Sequence, residues 1–446
     1  MTSAGEVAWL LRAMALARRA ALVAALALAV LAGARWPGVG RPAAAAGPFL
    51  DPHGGYTATA DACATCHRTH TGAGGGGLNR AAPQSNVCFV CHNGTGANSN
   101  VASEYSDTNV PPNDPATSSF YAHPATTLST HTNGQVDEFA GVLNRHAACG
   151  DCHNPHAANA AAPVQTANGW LASGALAKIS GANAASPPAW VNPITYEDEL
   201  CRKCHSSYTL QLSYTKASQQ KYDVGAEFDP ANTSYHPVEA PGRNASSALQ
   251  QSLAGGKLWN FTTSSTIRCV NCHGNYRLVG SPAVPGTPPG DARLAPHTSR
   301  YRGLLIANYR DRDLKPANEL YNSGDFALCF LCHREAPFTD VSGDPRPDTN
   351  YPFHGVHISG IRGMGAGGLE IDTAGAGQGN AICAECHFRT HGTAFAPWSA
   401  NRTYPGDVNF APDVQPVSGA AAPVWDRAAR TCTLVCHGKS HNPMRY

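Results

Sequence analysis

The chain is poor in the side chains that normally fill a protein core. From Gly47 onward, Leu, Ile, Val and Phe make up 63 of 400 residues, about 16%, and chains below about 20% usually cannot bury enough apolar surface to fold. High net charge normally accompanies such a deficit, but here 32 basic residues face 31 acidic ones. We therefore expect something other than side chains to supply the core.

The sequence also lacks the marks of nucleic-acid-binding and membrane-spanning proteins. It has no basic tract and no acidic tail. Beyond residue 46, no apolar run approaches the about 20 residues that cross a bilayer. We therefore expect a mature protein without a nucleic-acid partner and without a transmembrane span.

Residues 1–46 have the pattern of a secretory signal. Arg12, Arg18 and Arg19 precede an uncharged apolar run over residues 20–33, and small residues at 43–46 suit a signal peptidase. The alternative is a retained membrane anchor, but Arg35 interrupts the apolar run after fifteen residues. No cysteine lies nearby to carry a lipid anchor. The expected mature region is residues 47–446, exported to the periplasm, the outer cell surface or the medium.

All 16 cysteines fall into eight pairs, and a histidine follows each pair directly. Seven pairs read Cys-x-x-Cys-His: Cys63, Cys66 and His67; Cys88, Cys91 and His92; Cys149, Cys152 and His153; Cys201, Cys204 and His205; Cys269, Cys272 and His273; Cys329, Cys332 and His333; Cys383, Cys386 and His387. The eighth, with Cys432, Cys436 and His437, has one extra residue between its cysteines, so its loop is expected to bow outward.

Cys-x-x-Cys-His is the attachment sequence of c-type haem. The two thiols bind the porphyrin covalently, and the histidine becomes an axial ligand of the iron. Disulfide frameworks, zinc knuckles and thioredoxin-like sites are the alternatives for paired cysteines, but none of them requires the following histidine. The sequence therefore predicts eight covalent haems, whose burial replaces the missing aliphatic core.

The second axial ligand of each iron is predicted to be histidine. Only four methionines occur, two of them in the leader, whereas twelve histidines remain outside the motifs. Iron with two histidine ligands has a low potential and no vacant position for a substrate, which favours electron transfer. His70 and His156 follow a motif histidine by three residues, and His391 and His441 follow one by four. Such histidines are expected to reach a neighbouring haem, which would pack the porphyrins in pairs.

Residues 63–70 with 88–92, and 149–156 with 201–205, resemble the doubled motif of multihaem c-type cytochromes from metal-reducing bacteria. The similarity extends through residues 145–146, 235–243, 296–299 and 303–305. It implies stacked bis-histidine haems serving anaerobic or extracellular respiration. Carried over by position, it implies the distal ligands His70, His123, His146, His156, His236, His297, His357 and His391. The wide Cys432 motif and the four-residue spacing at His391 depart from the pattern, and the spare histidines are His53, His131, His354 and His441.

The expected fold is mostly irregular coil with short α-helices and little β-structure around the haem stack. First cysteines of successive motifs are 25, 61, 52, 68, 60, 54 and 49 residues apart, which argues against a strict solenoid. Runs rich in Gly and Pro separate the motifs. Helices are predicted near residues 196–205 and 319–333, and residues 157–188 are the best candidate for a hinge.

The leading functional hypothesis is an electron carrier that passes electrons to redox proteins or mineral acceptors. A more specific hypothesis is that the carrier forms filaments, in which a terminal histidine, His53 or His441, ligates a haem of the next subunit. Without the leader, 27 basic and 30 acidic residues remain. Sixteen propionates and eight ferric haems bring the oxidised protein to about −11, which favours a basic partner. The alternative is an octahaem reductase or oxidoreductase of nitrogen or sulfur oxyanions. That class needs one open or lysine-ligated iron, whereas every motif here ends in histidine.

Overall fold

The computed structural model describes residue 53 and residues 63–73, 78–97, 99–105, 121–126, 147–208, 223–256, 258–276, 295–310, 322–339, 349, 351–359, 381–393, 404–436 and 438–446. The chain divides into two units, Met1–Gly55 and Tyr56–Tyr446. The predicted leader lies outside the described residues, and the fold below is that of the second unit.

The helices of the described residues are short, and the longest has nine residues. The α-helices are α1 Gln84–Cys88, α2 Val101–Tyr105, α3 Cys149–Cys152, α4 Glu197–His205, α5 Val224–Glu227, α6 Ser247–Leu253, α7 Ala327–Phe330, α8 Ala336–Thr339, α9 His354–Ser359 and α10 Cys383–Cys386. Turns of 3₁₀-helix span Gly174–Leu176, Cys269–Asn271, Arg302–Leu304 and Ser323–Phe326. As predicted, most of the described chain is irregular.

The strands are short and antiparallel. They are β1 Tyr121–Ala122, β2 Val164–Thr166, β3 Gly169–Leu171, β4 Gly181–Ala182, β5 Trp190–Val191, β6 Thr298–Ser299, β7 Val414–Gln415, β8 Val424–Asp426, β9 Thr431–Cys436 and β10 Lys439–Arg445. β1 pairs with β6, β2 with β3 and β4 with β5, whereas β9 pairs with β7, β8 and β10 in a four-stranded sheet. This sheet at the end of the chain was not predicted.

Helix α4 shows why a helix forms at a motif. Its first turn carries Glu197, Asp198 and Glu199, and its last turn is basic, which complements the helix dipole at both ends. The Glu199 carboxylate also accepts the backbone N–H of Tyr196 at 2.9 Å, which caps the first turn. The helix predicted near residues 196–205 is therefore present. Of the helix predicted over residues 319–333, the described part is a 3₁₀ turn, Ser323–Phe326, followed by α7.

Three small apolar clusters replace one large core in the described residues. The first contains Ile306 and Leu331 with Cys332 packed against it. The second and third each contain five buried residues and border the motif cysteines: Phe326, Phe330, Ile358, Ile382 and Ala384 beside Cys329 and Cys383, and Phe410, Ala411, Val414, Trp425 and Leu434 beside Cys432 and Cys436. The apolar side chains are therefore concentrated around the cysteines.

Buried ion pairs and hydrogen bonds connect the segments between motifs. Arg202 pairs with Asp198 at 2.9 Å and with Glu239, so α4 is held to a distant loop. The indole N–H of Trp170 on β3 donates to the Thr266 carbonyl at 2.9 Å, which attaches the β2–β3 hairpin, part of the predicted hinge region, to the segment before Cys269. Among the described residues, no helix combines the length and the apolar character needed to cross a bilayer.

Candidate haem-binding sites

The seven regular motifs share one local geometry, a single helical turn that carries both cysteines. In six of them the histidine N–H donates to the carbonyl of the first cysteine over 2.8–2.9 Å; these are the motifs at Cys63, Cys88, Cys149, Cys269, Cys329 and Cys383. The seventh lies within α4. A helical turn places residues three and four apart on one face, so both thiols and the histidine of each motif can address the same porphyrin.

The eighth motif has a different geometry. Cys432 and Cys436 lie on strand β9 in the C-terminal sheet, and not on the bowed loop that the sequence predicts. The sequence explains the strand. The β-branched residues Thr431, Thr433 and Val435 alternate with three residues that belong to or border the third apolar cluster, and such alternation favours a strand. His437 lies outside the described residues.

No disulfide joins any of the sixteen cysteines, all of which lie in the described part of the chain. Desolvation by surrounding protein raises the pKa of the Cys152 thiol to about 11 and that of Cys272 and Cys386 to about 12, although Cys152 and Cys272 are partly exposed and Cys386 is exposed. Within the described ranges, no group of three or more His, Cys, Asp or Glu side chains is arranged to hold a metal ion alone. At neutral pH these three cysteines are therefore protonated thiols.

Consecutive motifs are neighbours in space. The thiols of Cys88 and Cys149 are in hydrogen-bonding contact, as are those of Cys201 with Cys269 and Cys329 with Cys383. Besides desolvation, negative charge on Cys91 raises the pKa of Cys66, and charge on Cys329 and Cys432 does the same to Cys272 and Cys386 respectively, so these thiols also lie in the same neighbourhood. The third and fourth motifs are joined by the Lys203 ammonium, which donates to the Asp151 carbonyl at 2.6 Å. The eight motifs thus form one series in chain order.

Four motif histidines each face a histidine from elsewhere in the chain. The ring-centroid separations are 6.1 Å for His67 with His156, 6.2 Å for His153 with His297, 6.4 Å for His205 with His123 and 5.9 Å for His273 with His391. Two imidazoles on opposite sides of one metal, each at about 2.0–2.1 Å from it, have centroids roughly 6 Å apart. The separation of the rings in each pair therefore matches that of two axial histidines on one iron.

For the other predicted ligands, the structure shows fewer contacts with a second histidine. His333 interacts with His236, and His387 with both His236 and His354. Nδ1 of His92 contacts the Ser99 hydroxyl at 3.2 Å, whereas His70 is exposed. His131 and His146 lie outside the described residues.

Most of these rings are oriented through Nδ1, which leaves Nε2 to ligate. Nδ1–H of His123 donates to the Pro296 carbonyl at 2.6 Å, and that of His273 to Gly303 at 2.7 Å. Nδ1 of His153 and of His387 contact backbone carbonyls in the same way. Such second contacts fix the ring orientation and the tautomer of metal-bound histidines.

Two buried carboxylates, for which no prediction was made from the sequence, orient two of the predicted distal histidines. Glu104 accepts from Nδ1 of His297, and Glu227 accepts from Nδ1 of His391, both at 3.0 Å. Their side chains are 2% and 1% exposed, so each negative charge acts at low dielectric. A carboxylate partner raises the basicity of the imidazole and strengthens its bond to a metal.

These two sites are copies of one arrangement. In the first, the backbone N–H of His123, which follows β1, donates to the His297 carbonyl at 3.0 Å. In the second, the backbone N–H of His236 donates to the His391 carbonyl at 2.9 Å. The signal in the sequence is a helix ending in Glu and an aromatic residue, followed by a His-Pro pair, at residues 101–124 and again at 224–237. Each copy places two distal histidines side by side.

Four imidazoles are neutral at pH 7 and therefore able to bind a metal. Burial lowers the pKa of His205, His273 and His333 to about 4 and that of His354 to about 3. Protonation of such a group would put an uncompensated charge in a dry site. At neutral pH the Nε2 lone pair of each ring is available to iron.

A comparison with known protein families matched residues 56–97 to the doubled CXXCH motif. This region contains the first two motifs, at Cys63 and Cys88. The match supports a multihaem c-type cytochrome. No curated protein and no solved structure matched the chain. The CXXCH motif binds haem covalently, and each such haem supplies an iron that takes and gives up one electron.

Replacing His297 by alanine is expected to remove one axial ligand from the haem at Cys149. That iron should become high-spin in the oxidised protein and bind carbon monoxide when reduced, because a coordination position opens. Electron paramagnetic resonance and carbon monoxide difference spectra measure both effects. Tyr105→Phe is the control, since this ring lies 6.3 Å from His297 and the change leaves the imidazole in place. Unchanged low-spin spectra in His297→Ala would refute the assignment.

Proposed function

We propose that the protein carries electrons along a chain of eight c-type haems, each with two histidine ligands. The observation that supports this most directly is the series of contacts between consecutive motifs. Because the thioether-forming thiols of neighbouring motifs lie against one another, their porphyrins would stand side by side. Electrons could then enter at one end and leave at the other without a gap.

The proposed axial pairs follow the observed ring contacts. They are His67 with His156, His153 with His297, His205 with His123 and His273 with His391. His236 is proposed for the haem at His333, and His354 for that at His387, because, besides desolvation, like charge on one ring of each pair lowers the pKa of the other. His70 or His146 would be the second axial ligand of the haem at His92. Saturated irons bind no substrate, so this arrangement favours a carrier over an oxyanion-reducing enzyme.

The proposed setting is anaerobic or extracellular respiration after export to the periplasm or the cell surface. The predicted leader supports export, and attached haems give the protein a net charge of about −11. We propose docking to a basic patch on a redox partner or transfer to an external mineral acceptor. Self-association into a filament, with His53 or His441 ligating a haem of the next copy, is tested by electron microscopy of the extracellular fraction together with the mass in solution.

The purified protein is expected to carry eight haem masses and to lack residues 1–46. Its oxidised spectrum should contain low-spin iron only, and the reduced protein should not bind carbon monoxide, because each iron has two protein ligands. Intact-mass spectrometry and electron paramagnetic resonance test this. Seven haem masses would exclude attachment at Cys432. A high-spin iron that binds carbon monoxide in the unmodified protein would instead support the enzyme alternative.

A further inference from the structure

An aspartate in the loop at residues 404–409 contacts two of the histidines assigned to iron. The Asp407 carboxylate lies 3.3 Å from Nδ1 of His236, and the Asp407 backbone carbonyl accepts from Nδ1 of His387 at 3.1 Å. His387 is the motif histidine after Cys386, whereas His236 is a predicted distal ligand from a distant segment. One residue therefore holds the outer nitrogen of two axial ligands.

The two rings belong to different irons. The axial ligands of one iron lie on opposite faces of its porphyrin, and a ring that ligates through Nε2 turns Nδ1 away from the metal. One residue therefore cannot contact Nδ1 of both ligands of a single haem. Besides desolvation, charge on His236 lowers the pKa of two motif histidines, His333 and His387. Because His387 is excluded as its partner, His236 is left to the haem at Cys329.

Both motifs concerned have the regular helical-turn geometry. The N–H of His333 donates to the Cys329 carbonyl and that of His387 to the Cys383 carbonyl, each over 2.9 Å. Cysteines three residues apart on such a turn share one face, which suits attachment to one porphyrin. The thiols of Cys329 and Cys383 are also in hydrogen-bonding contact. The two sites are therefore consecutive neighbours, and Asp407 lies between their ligands.

Hydrogen bonds to buried residues fix both oxygens that Asp407 presents. The Ser234 hydroxyl donates to Oδ1 of Asp407 at 2.8 Å and accepts the Asp407 N–H at 2.7 Å, which leaves Oδ2 toward His236. Ser234 is itself held by the buried Thr393, whose hydroxyl donates to the Ser234 carbonyl at 3.0 Å. The side-chain amide of Asn409, which is fully buried, donates to the Asp407 carbonyl at 2.8 Å. The aspartate is thus a fixed support for the two rings.

The backbone of this loop suits an aspartate. Asp407 has a φ of 57° and follows Gly406, whose φ is 76°. Aspartate and asparagine adopt the left-handed region more readily than other residues with a side chain. Residues held in this region cluster at functional sites. Asparagine at this position is therefore expected to keep both the backbone conformation and the carbonyl contact.

The charge of Asp407 acts on both sites. Its side chain is 17% exposed, so water screens it only in part. Burial lowers the pKa of the His387 imidazole, and the charge and carbonyl of Asp407 oppose this shift. An anion beside an axial ligand stabilises ferric over ferrous iron, which lowers the potential.

We propose that Asp407 is a positioning residue shared by two consecutive haems, those at Cys329 and Cys383, and that its charge lowers both potentials together. Its carboxylate orients the distal ligand His236 of the first, and its carbonyl orients the motif histidine His387 of the second. The inference rests on the proposed function, because it assumes that both motifs carry haem.

The test uses potentiometric titration of the full haem-loaded protein with Asp407→Asn, Ser234→Ala and the control Asp229→Asn. Asp407→Asn is expected to raise two of the eight potentials and to leave six unchanged. All irons should stay low-spin, because the Thr390 carbonyl also accepts from Nδ1 of His236 and keeps the ring in place. Ser234→Ala keeps the charge but removes the hydroxyl that holds it, so the same two potentials should rise by less. Asp229→Asn removes an equal charge at an exposed site and should match the unmodified protein.

A marked haem identifies the two sites. His236→Met is expected to raise the potential of the iron that it ligates, because methionine ligation does so. Adding Asp407→Asn to this variant should raise the marked potential further and raise one other.

The inference is overturned if Asp407→Asn raises one potential only, raises none, or raises all eight alike. If Asp407→Asn loses haem, Ser234→Ala decides by the same criterion. Failure of the proposed function has a different signature, since the unmodified protein would then lack eight haem masses or eight low-spin irons. The haem count by mass and the spin state by electron paramagnetic resonance separate the two cases.

Discussion

A mature chain without haem is expected to have a radius of gyration of about 70 Å, against about 21 Å for the folded protein of the same length. The apolar clusters of the described chain hold at most five fully buried residues each, and the second and third border the thiols that would bond to haem. Without porphyrins, the surface beside those thiols is exposed to water, and too little apolar area is left to offset the entropy of about 400 ordered residues.

The measurement is small-angle X-ray scattering of a variant with all sixteen cysteines replaced by serine, together with far-ultraviolet circular dichroism. The matched control replaces only Cys63 and Cys66, at the first motif of the series. Only this site should be lost, so the radius should stay near that of the folded protein. A compact sixteen-serine chain with cooperative unfolding would show that side chains alone build the core.

The attachment residues of a c-type haem site can be predicted from sequence because attachment chemistry acts locally. Two thiols and a histidine must lie within one turn, so their spacing is visible in the chain. Distal pairing is different, because it joins remote segments. The ring of His67 faces His156 and that of His205 faces His123, and no local pattern determines which histidine reaches which motif. The short strands that make some of these connections, β1 with β6, have two residues each.

The buried carboxylates were overlooked for another reason. A single Glu in a polar loop resembles a solvated charge, and only the repetition of the Glu-aromatic and His-Pro segments, at Glu104 and again at Glu227, distinguishes it. The C-terminal sheet was missed because the extra residue of the Cys432 motif was interpreted as a loop that bows outward. Alternating Thr and Val in β9, and Gly438 with a φ of 87° in the tight turn, were the available signals for a hairpin.

Irregular motif spacing argued against a strict solenoid, and the contacts between consecutive motifs are compatible with that. Separations as different as 25 and 68 residues end in neighbouring sites because the intervening loops vary in length while the attachment turns meet. Attachment turns that are neighbours in space are therefore joined by loops of very different length. This view predicts that loop deletions are tolerated better than changes at the ligands' second contacts.

Glu227→Gln is expected to change the haem at Cys269 strongly although the residue touches no attachment group. The carboxylate accepts from Nδ1 of His391 at 3.0 Å and lies 3.6 Å from the Arg389 guanidinium. Removing its negative charge beside the ligand weakens the iron–histidine bond, for which losses of 10–100-fold are typical. The potential of this haem should rise, because the anion stabilises ferric over ferrous iron. Breaking the buried pair with Arg389 should destabilise the protein by about 3 kcal/mol.

Potentiometric titration, binding of added imidazole and thermal unfolding measure these three effects. Asp229→Asn is the matched control, since it removes an equal charge two residues away at an exposed site. If the effect came only from net charge, both variants would shift potentials alike; a shift confined to one haem of Glu227→Gln requires the contact with His391. Identical potentials in Glu227→Gln and the unmodified protein would mean that the carboxylate serves packing only. Glu104→Gln should raise the potential of the haem at Cys149 in the same way, because Glu104 contacts His297 as Glu227 contacts His391.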